Sequence, residues 1–430
     1  MTPFAKLAIC DPKRDSEAQT GRASWYPYYA GFSQAFAERL IASAGMEQES
    51  LVSDPWNGSG TTTAAAARLG HDAYGYDLNP VMVLAARARM LSKREKNSLI
   101  AIGTAVIKAA KPTDVIESEP LMTWFARNSA CWLRGLERSI QEILISPQNT
   151  PMPTRIERIQ QMSDLAAFFY VALFRTTRGL LDRFGASNPT WIKKPKSLRE
   201  RLRPAPDHVK DTFLKQVGLM TNAIDEDPAT KDSEVKIAVG SSNRIPLSDN
   251  CVDLVLSSPP YCTRIDYAVA TYPELAVLGY RIESEVDNLR RQLIGTATVP
   301  RVAPQQEESW GKCCNQFLIG IRTHHSKASA TYYLKNHLQY FASMYGSIGE
   351  IARTLKRGGA CVLVVQDSYY KNLHNDLPRV IVEMSDNQSM TLRRQVSFRH
   401  ARTMANVNPR VRQYRGQMCA TESVLCFSRN

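Results

Sequence analysis

One short stretch limits the folds open to this chain more than any other. Residues 54 to 62 read D-P-W-N-G-S-G-T-T, closing a short apolar run and opening an alanine-rich helical pattern from Thr61 to Leu69. Gly58 and Gly60 allow the backbone to bend sharply and let a ligand lie directly against it. The helix that follows presents free N–H groups and the positive end of its dipole. A triphosphate loop needs a lysine after the glycines, and none is present. Roughly twenty residues on, at the spacing of a nucleotide-binding α/β unit, a second strand from Ala73 to Tyr76 ends at Asp77. Strand, glycine turn, helix, strand and acid in that order predict a Rossmann-like, doubly wound α/β sheet.

The two acids narrow the ligand. Asp54 at the first strand end sets a carboxylate where a cationic amino group would sit. Asp77 can accept from both hydroxyls of a ribose. Ammonium partner, tight turn and ribose partner together describe S-adenosylmethionine better than a dinucleotide.

A second segment carries complementary chemistry. Residues 257 to 261, S-S-P-P-Y, follow the apolar strand Val252 to Ser257. Pro259 and Pro260 fix the backbone and remove two N–H donors, leaving a rigid loop rich in acceptors. Ser258 Oγ and the Pro259 carbonyl are placed to accept from an exocyclic amino group, and Tyr261 offers a flat face for an extruded base. The loop has no cysteine, so attack by a thiolate on a pyrimidine ring is not expected. Both bends are predicted to converge on one cleft.

Around these segments the chain divides in three. Residues 1–92 hold an N-terminal arm, polar up to about Gly21, a helix from Ser33 to Ala44, and the cofactor half. Residues 93–234 are rich in long helical patterns such as Leu121 to Ile145 and Arg158 to Leu181, and end near the basic run KKPKSLRERLR at 193–203. They form a mostly helical insertion. Residues 235–430 resume strand patterning at Val235 to Val239, with a less regular stretch at 281–330. After that stretch a helix through Leu338 to Leu355 is expected to stop at Gly358 and Gly359 before a buried strand, Ala360 to Val365. The terminal S-V-L-C-F-S reads as an edge or hairpin strand.

The charge balance agrees with a polyanionic partner: 54 basic against 41 acidic residues give a formal net charge of +13, and phosphate contacts by Lys and Arg release counterions. The nine cysteines include no C-x-x-C pair. His324 and His325 lack acid or cysteine partners at ligand spacing, so no metal is expected. With no signal-length apolar stretch and no membrane-spanning run, a cytoplasmic location is expected.

Taken together, the segments Asp54–Thr62 and Ser258–Tyr261 resemble the amino-group DNA methyltransferases, which make N4-methylcytosine or N6-methyladenine. The resemblance extends to W-Y-P-Y-Y-A-G-F at 25–32, similar to that family's preceding cofactor motif, and to Y-C-T-R-I-D-Y-A at 261–268. It covers roughly 25–92 and 235–427. It implies a cofactor site built from Tyr28, Phe32, Asp54, Pro55, Gly58, Gly60, Thr61, Thr62 and Asp77, and a catalytic loop of Ser258, Pro259, Pro260 and Tyr261. The implied cofactor is S-adenosylmethionine and the implied substrate double-stranded DNA. A serine heading the loop looks like the cytosine-N4 group, with adenine N6 as the alternative. Two features depart from the pattern. Where the family often has an acid after the third strand, V-G-S-S-N offers Ser241, Ser242 and Asn243. Position 56 is Trp rather than Phe.

Weaker candidates are S-N-P-T-W at 187–191, as a turn or a DNA-contacting loop, and the basic C-terminal set Arg393, Arg394, Arg399, Arg402, Arg410, Arg412 and Arg415 with Tyr414 and His400. Asp266 and Tyr267 either shape the base pocket or cap the next helix. The competing functions are an RNA or release-factor methyltransferase and a non-enzymatic nucleic-acid-binding protein on the same scaffold. Oligomeric state is left open by the sequence.

Overall fold

The computed structural model describes residues 4–13, 20–27, 31–145, 154–186, 191–227, 233–262, 266–400 and 420–430. Seven strands form the central sheet: β1 (Leu51–Asp54), β2 (Asp72–Asp77), β3 (Val235–Val239), β4 (Val252–Ser257), β5 (Leu355–Gln366), β8 (Met390–His400) and β9 (Ala420–Arg429). A separate small hairpin pairs β6 (Ser368–Tyr370) with β7 (Leu373–Asn375). The sheet order is β3-β2-β1-β4-β5-β9-β8. β1 to β5 run parallel, while β9 is antiparallel to both β5 and β8. The fold is thus a mostly parallel α/β sheet of the Rossmann-like kind.

That order reverses direction between β1 and β4. From β1 the chain steps outward to β2 and β3, then returns across the sheet to β4. In doubly wound sheets the crevice beyond the carboxyl ends of the strands at such a reversal is where ligands bind. Asp54 and Ser257 are the last residues of those two strands.

Local signals explain the helices flanking the sheet. Ser33 Oγ accepts from Phe36 N at 3.2 Å and starts the helix Gln34–Ser43, whose Phe36, Ala37, Leu40 and Ile41 are buried against β1 and β5 residues. Asn79 caps the helix Pro80–Ala88 by accepting from Val81 N at 3.1 Å, with Pro80 at its first position.

Residues 93–234 supply the helices Lys96–Ala109, Arg127–Leu144, Arg155–Gln161, Asp164–Leu180 and Pro206–Ala223. The pattern read as one helix from Arg158 to Leu181 is two, because Ser163 Oγ accepts from Ala166 N and begins a new helix. This helical layer has no core of its own: its buried side chains form one cluster with Val81 to Leu91 and with Ala268 to Leu289. Arg87 stitches the join by donating to the carbonyls of Ile159, Gln160, Met162 and Ile237.

Four expectations are corrected. Gly358 and Gly359 do not end a helix. The helix Leu334–Thr354 passes directly into β5, and residues 356–359 bulge between the pairs Val252–Leu355 and Leu254–Ala360. There Gly358 takes φ +73° and Lys356 reaches Asp253 at 2.8 Å. Of the two forms read for S-V-L-C-F-S, only the edge is overturned: β9 pairs antiparallel with the preceding strand β8 and lies between it and β5, which leaves β8 at the edge, a strand the sequence pattern did not reveal. The described part of the N-terminal arm is held down, with Leu7 2% exposed and its carbonyl accepting from Arg394 at 2.8 Å. Within 281–330, the helix Lys312–Thr323 packs with Trp310 and Phe341. Among the described residues no helix is long and apolar enough to cross a membrane.

Candidate active site

The Asp54–Gly60 bend closes tightly because two backbone positions leave no room for a side chain. Gly60 has φ +82°, and a Cβ there would stand 2.7 Å from Ala86 Cβ on the neighbouring helix. At Gly75 on β2, a Cβ would run into the Asn57 amide, which packs over that strand. Asn57 N also donates to Tyr76 O at 2.9 Å, fixing the bend to β2.

Both acids are buried and held by uncharged donors. Asp54 Oδ1 accepts from Trp56 N at 3.0 Å and from Ser257 Oγ; Oδ2 accepts from Thr62 Oγ1 at 2.6 Å. Burial raises its carboxyl to about 6, against the pull of those hydrogen bonds. Asp77 accepts from Gly58 N at 3.1 Å and Asn79 N at 2.8 Å, and burial, with the nearby Asp54 charge, raises it to about 7. Asp54 therefore does more than face a ligand: through Ser257 and Thr62 it ties the cofactor bend to the strand that carries the second loop.

That loop follows β4 at once. The Pro260 carbonyl accepts from Tyr340 Oη at 2.8 Å, and Tyr261 Oη donates to Glu422 Oε1 at 2.7 Å. Ser258 Oγ stands 3.4 Å from Tyr261 Oη. Burial and the neighbouring Glu422 push the Tyr261 phenol well above its ordinary range.

One cleft is lined by both bends: Phe32, Asp54, Pro55, Gly58, Thr61 and Asp77 on one side, Ser258, Pro259, Pro260 and Tyr261 on the other. Its open space totals about 930 Å³, part of it continuous with solvent. Gly60 and Thr62 stand behind this surface as the helix cap and the Asp54 donor. Ser241 is a correction: Gly240 and Ser242 line the cleft, whereas Ser241 Oγ turns back to accept from Asn243 N at 3.2 Å. Tyr28 lies outside the described residues.

Several lining residues were not read from the sequence. Asn57, Leu78, Asn79, Met82, Leu293 and Ile294 reach the cleft, as does Tyr267. Asn79 had a signal, since Asn before Pro reads as a helix cap beside the ligand-bearing acid. Leu293 and Ile294 had none, because a distant segment brings them in. Asp266 Oδ1 accepts from Val269 N at 3.2 Å and caps the short helix Tyr267–Ala270, and Oδ2 pairs with Arg290 at 2.7 Å. Among the described residues, the lining contains no Lys, Arg or His. Trp56 Nε1, also on this wall, is buried with no hydrogen-bond partner.

Of the weaker candidates, Trp191 is 50% exposed and Lys194 Nζ lies 5.6 Å over the Tyr272 ring, while residues 187–190 fall outside the description. Arg394 is structural, donating to the carbonyls of Phe4, Ala5 and Leu7, and Arg393 Nε donates to Ser428 Oγ at 2.6 Å. Arg399 is exposed. Arg402, Arg410, Arg412, Tyr414 and Arg415 lie outside the described residues.

Comparison with known proteins agrees with this geometry. The sequence model of a family described as DNA methylase (N6_N4_Mtase) matches residues 9–87, the stretch that holds the first bend. Type II methyltransferase M.BsoBI of Geobacillus stearothermophilus is 25% identical over 292 residues, spanning 62% of this chain and 54% of that protein. The chain thus matches about half the length of this curated relative. Two solved methyltransferases align at low similarity. One is a geranyl diphosphate methyltransferase with GPP and sinefungin, with TM-score 0.32, 8% identity, and 93% of this chain and 80% of that one covered. The other is from Methanosarcina mazei, with TM-score 0.31, 7% identity, and 90% and 96% covered. At those scores the fold assignment rests on the strand order. The family match falls on the bend that closes β1, and the S-P-P-Y loop faces that bend across one cleft, so this part of the chain is similar to the amino-group (N6/N4) DNA methylases.

Proposed function

We propose that this chain transfers a methyl group from S-adenosylmethionine to the exocyclic amino group of a base in double-stranded DNA, the base being cytosine and the atom N4. The observation that carries this reading is the shared cleft, in which the glycine bend and the S-P-P-Y loop face each other and are tied together by the Asp54–Ser257 hydrogen bond.

The residues fit the cofactor. Among the described residues the cleft wall holds two buried carboxylates and no cationic side chain, so a triphosphate would meet negative charge there, whereas a sulfonium and an ammonium meet attraction. Each Asp77 oxygen accepts one backbone N–H and keeps lone pairs for ribose hydroxyls. Asp54 has less to offer, since three protein donors already use it. Among the described residues, the buried Trp56 N–H has no hydrogen-bond partner, which leaves a donor on the cleft wall for a ligand acceptor. When bound, the cofactor supplies a methyl already activated by its sulfonium, so a covalent enzyme intermediate is unnecessary.

The protein's own work is alignment. Ser258 Oγ and the Pro259 carbonyl accept from the amino group, which turns the nitrogen lone pair towards the cofactor. Tyr261 supplies the stacking face for a base taken out of the duplex, a cost of a few kcal/mol that stacking offsets by about 1–3 kcal/mol. Holding the reacting groups in register contributes about 7–11 kcal/mol to such transfers. The net charge of +13 favours a polyanionic substrate, and the similarity to a Type II methyltransferase points the same way.

Incubation of the protein with labelled cofactor and duplex DNA, followed by nucleoside analysis, tests the reading. N4-methylcytosine is expected. N6-methyladenine would correct the base, and label appearing in tRNA or rRNA but in no DNA would overturn the DNA assignment.

A further inference from the structure

Tyr261 is anchored from behind by residues far away in sequence. Its hydroxyl donates to Glu422 Oε1 on β9 at 2.7 Å, the other Glu422 oxygen lies 3.5 Å from His400 Nε2 on β8, and that nitrogen lies 3.5 Å from Asp11 Oδ1 in the N-terminal segment. The Glu422 and His400 side chains are each 12% exposed, and Asp11 is half exposed.

We propose that Glu422 is the positioning residue for the stacking ring, with His400 Nε2 facing its other oxygen at 3.5 Å. This rests on the methyltransferase reading, in which Tyr261 stacks on the target base. The argument is geometric. The loop backbone is fixed by Tyr340 at the Pro260 carbonyl, but that bond leaves the Tyr261 side chain free to rotate about its own torsions. The one strong contact on the side chain is the bond to Glu422, because the alternative partner, Ser258 Oγ, stands at 3.4 Å. With backbone and ring tip both pinned, the ring plane is set before substrate arrives. A platform held in that way avoids ordering side-chain torsions on binding.

A carboxylate is a costly choice for this position if its role is packing alone. A buried charge must be matched by donors or it destabilises the fold. Here the donor that meets Glu422 is Tyr261 Oη, and the other titratable groups facing it from the packed segments are His400 and Asp11. An apolar residue would fill the space and lose only the hold on the ring. The three side chains also bring one ligand atom each to within 4.8 Å of one another, so the test must separate ring positioning from cation binding.

A double-mutant cycle separates them. Tyr261→Phe and Glu422→Leu are each expected to lower kcat by about 10- to 100-fold, the range of a hydrogen bond to a charged group. KM for DNA and affinity for the cofactor analogue sinefungin should change less than about twofold, well inside that range. The double variant should be no slower than the worse single one, because both remove the same bond. Glu422→Gln keeps an acceptor and should recover most of the lost rate. Multiplying effects, or an unchanged kcat in Glu422→Leu, would overturn the proposal. So would activity that is lost to EDTA and restored by a divalent cation.

A second measurement works without turnover. With 3-fluorotyrosine incorporated, the fluorine resonance missing from Tyr261→Phe is that of residue 261. It should shift in Glu422→Leu and, less, in His400→Gln. If it does not move, the positioning idea fails; if it moves while the wild type methylates no nucleic acid, the function fails and the anchor stands.

Discussion

The cleft and the seam between helical layer and sheet both bury carboxylates, yet they satisfy them with opposite materials. At the seam, Glu274 is fully buried and grips Arg178 through two bonds of 2.6 Å, and the Ala270 carbonyl accepts from the same guanidinium at 2.7 Å. Nearby, Arg134 bridges Glu119 and Glu137 at 2.7 and 3.1 Å. In the cleft, Asp54 and Asp77 have among the described residues only hydroxyl and backbone donors, and their carboxyls rise to about 6 and about 7. A bidentate Arg–carboxylate pair closes a surface and leaves little for a ligand. A carboxylate supported only by neutral donors keeps both its lone pairs and its desolvation penalty, and a ligand that relieves the penalty is bound by it. That is the difference expected between architecture and the receptor proposed here for the cleft.

Substitutions can break that contrast. The largest effect is expected at the seam. Glu274→Ala leaves a buried guanidinium without its partner and should cost about 3–5 kcal/mol of stability, read as a lower urea midpoint, with cofactor affinity lost only as the fold is lost. If the midpoint stays put, the pair is ornament and the contrast collapses. In the cleft the order reverses. Ser258→Ala should lower kcat on the order of 100-fold, as loss of one oriented group does at other active sites, while the urea midpoint and sinefungin affinity stay near wild type. Asp77→Ala should weaken cofactor binding by about 10- to 100-fold and leave the fold intact, checked by titration calorimetry and circular dichroism. An Asp77 variant that binds normally would put the ribose contacts elsewhere.

The same contrast explains what the sequence disclosed. β1 to β4 and the first bend are written in local signals: apolar runs of strand length, glycines where φ turns positive at Gly58 and Gly60, an acid at the tips of β1 and β2. Such signals depend on neighbours within a few positions, so Asp54–Thr62 and Ser258–Tyr261 could be paired before any coordinates. The antiparallel end was opaque for the converse reason. β8 alternates exposed Arg393, Gln395, Ser397 and Arg399 with half-buried partners, and that basic row reads as a charged surface, not a strand. Glu422 gave no sign of touching Tyr261, because that contact spans 161 positions and depends on β9 pairing beside β5. Ser241 failed for a subtler reason: the turn it occupies consumes its own hydroxyl, which moves the lining role to Gly240 and Ser242.

The smallest effect, and the sharpest probe of the cleft, is its pH dependence. Burial raises Asp77 from 3.8 to about 7. Between those values the ligand-free folded protein retains a proton that the unfolded chain has released. This group therefore contributes a stability that falls as pH rises through that window. Cofactor binding runs the other way. Two ribose hydroxyls need two free acceptor oxygens, and a protonated carboxyl has one oxygen committed as a donor. Sinefungin affinity should be flat above about pH 8 and fall towards a limit of about tenfold per pH unit below about 7. Asp77→Asn should bind more weakly and lose most of that slope, Asp54 at about 6 leaving a residual one. The seam gives the control: Arg178 stays charged throughout, so seam stability should not follow this titration. Wild-type affinity that holds constant from about pH 8 to about 5.5, a range spanning both raised carboxyls, would mean that Asp77 does not take the ribose. The uncompensated carboxylates would then be a cost of the fold with no ligand to offset it.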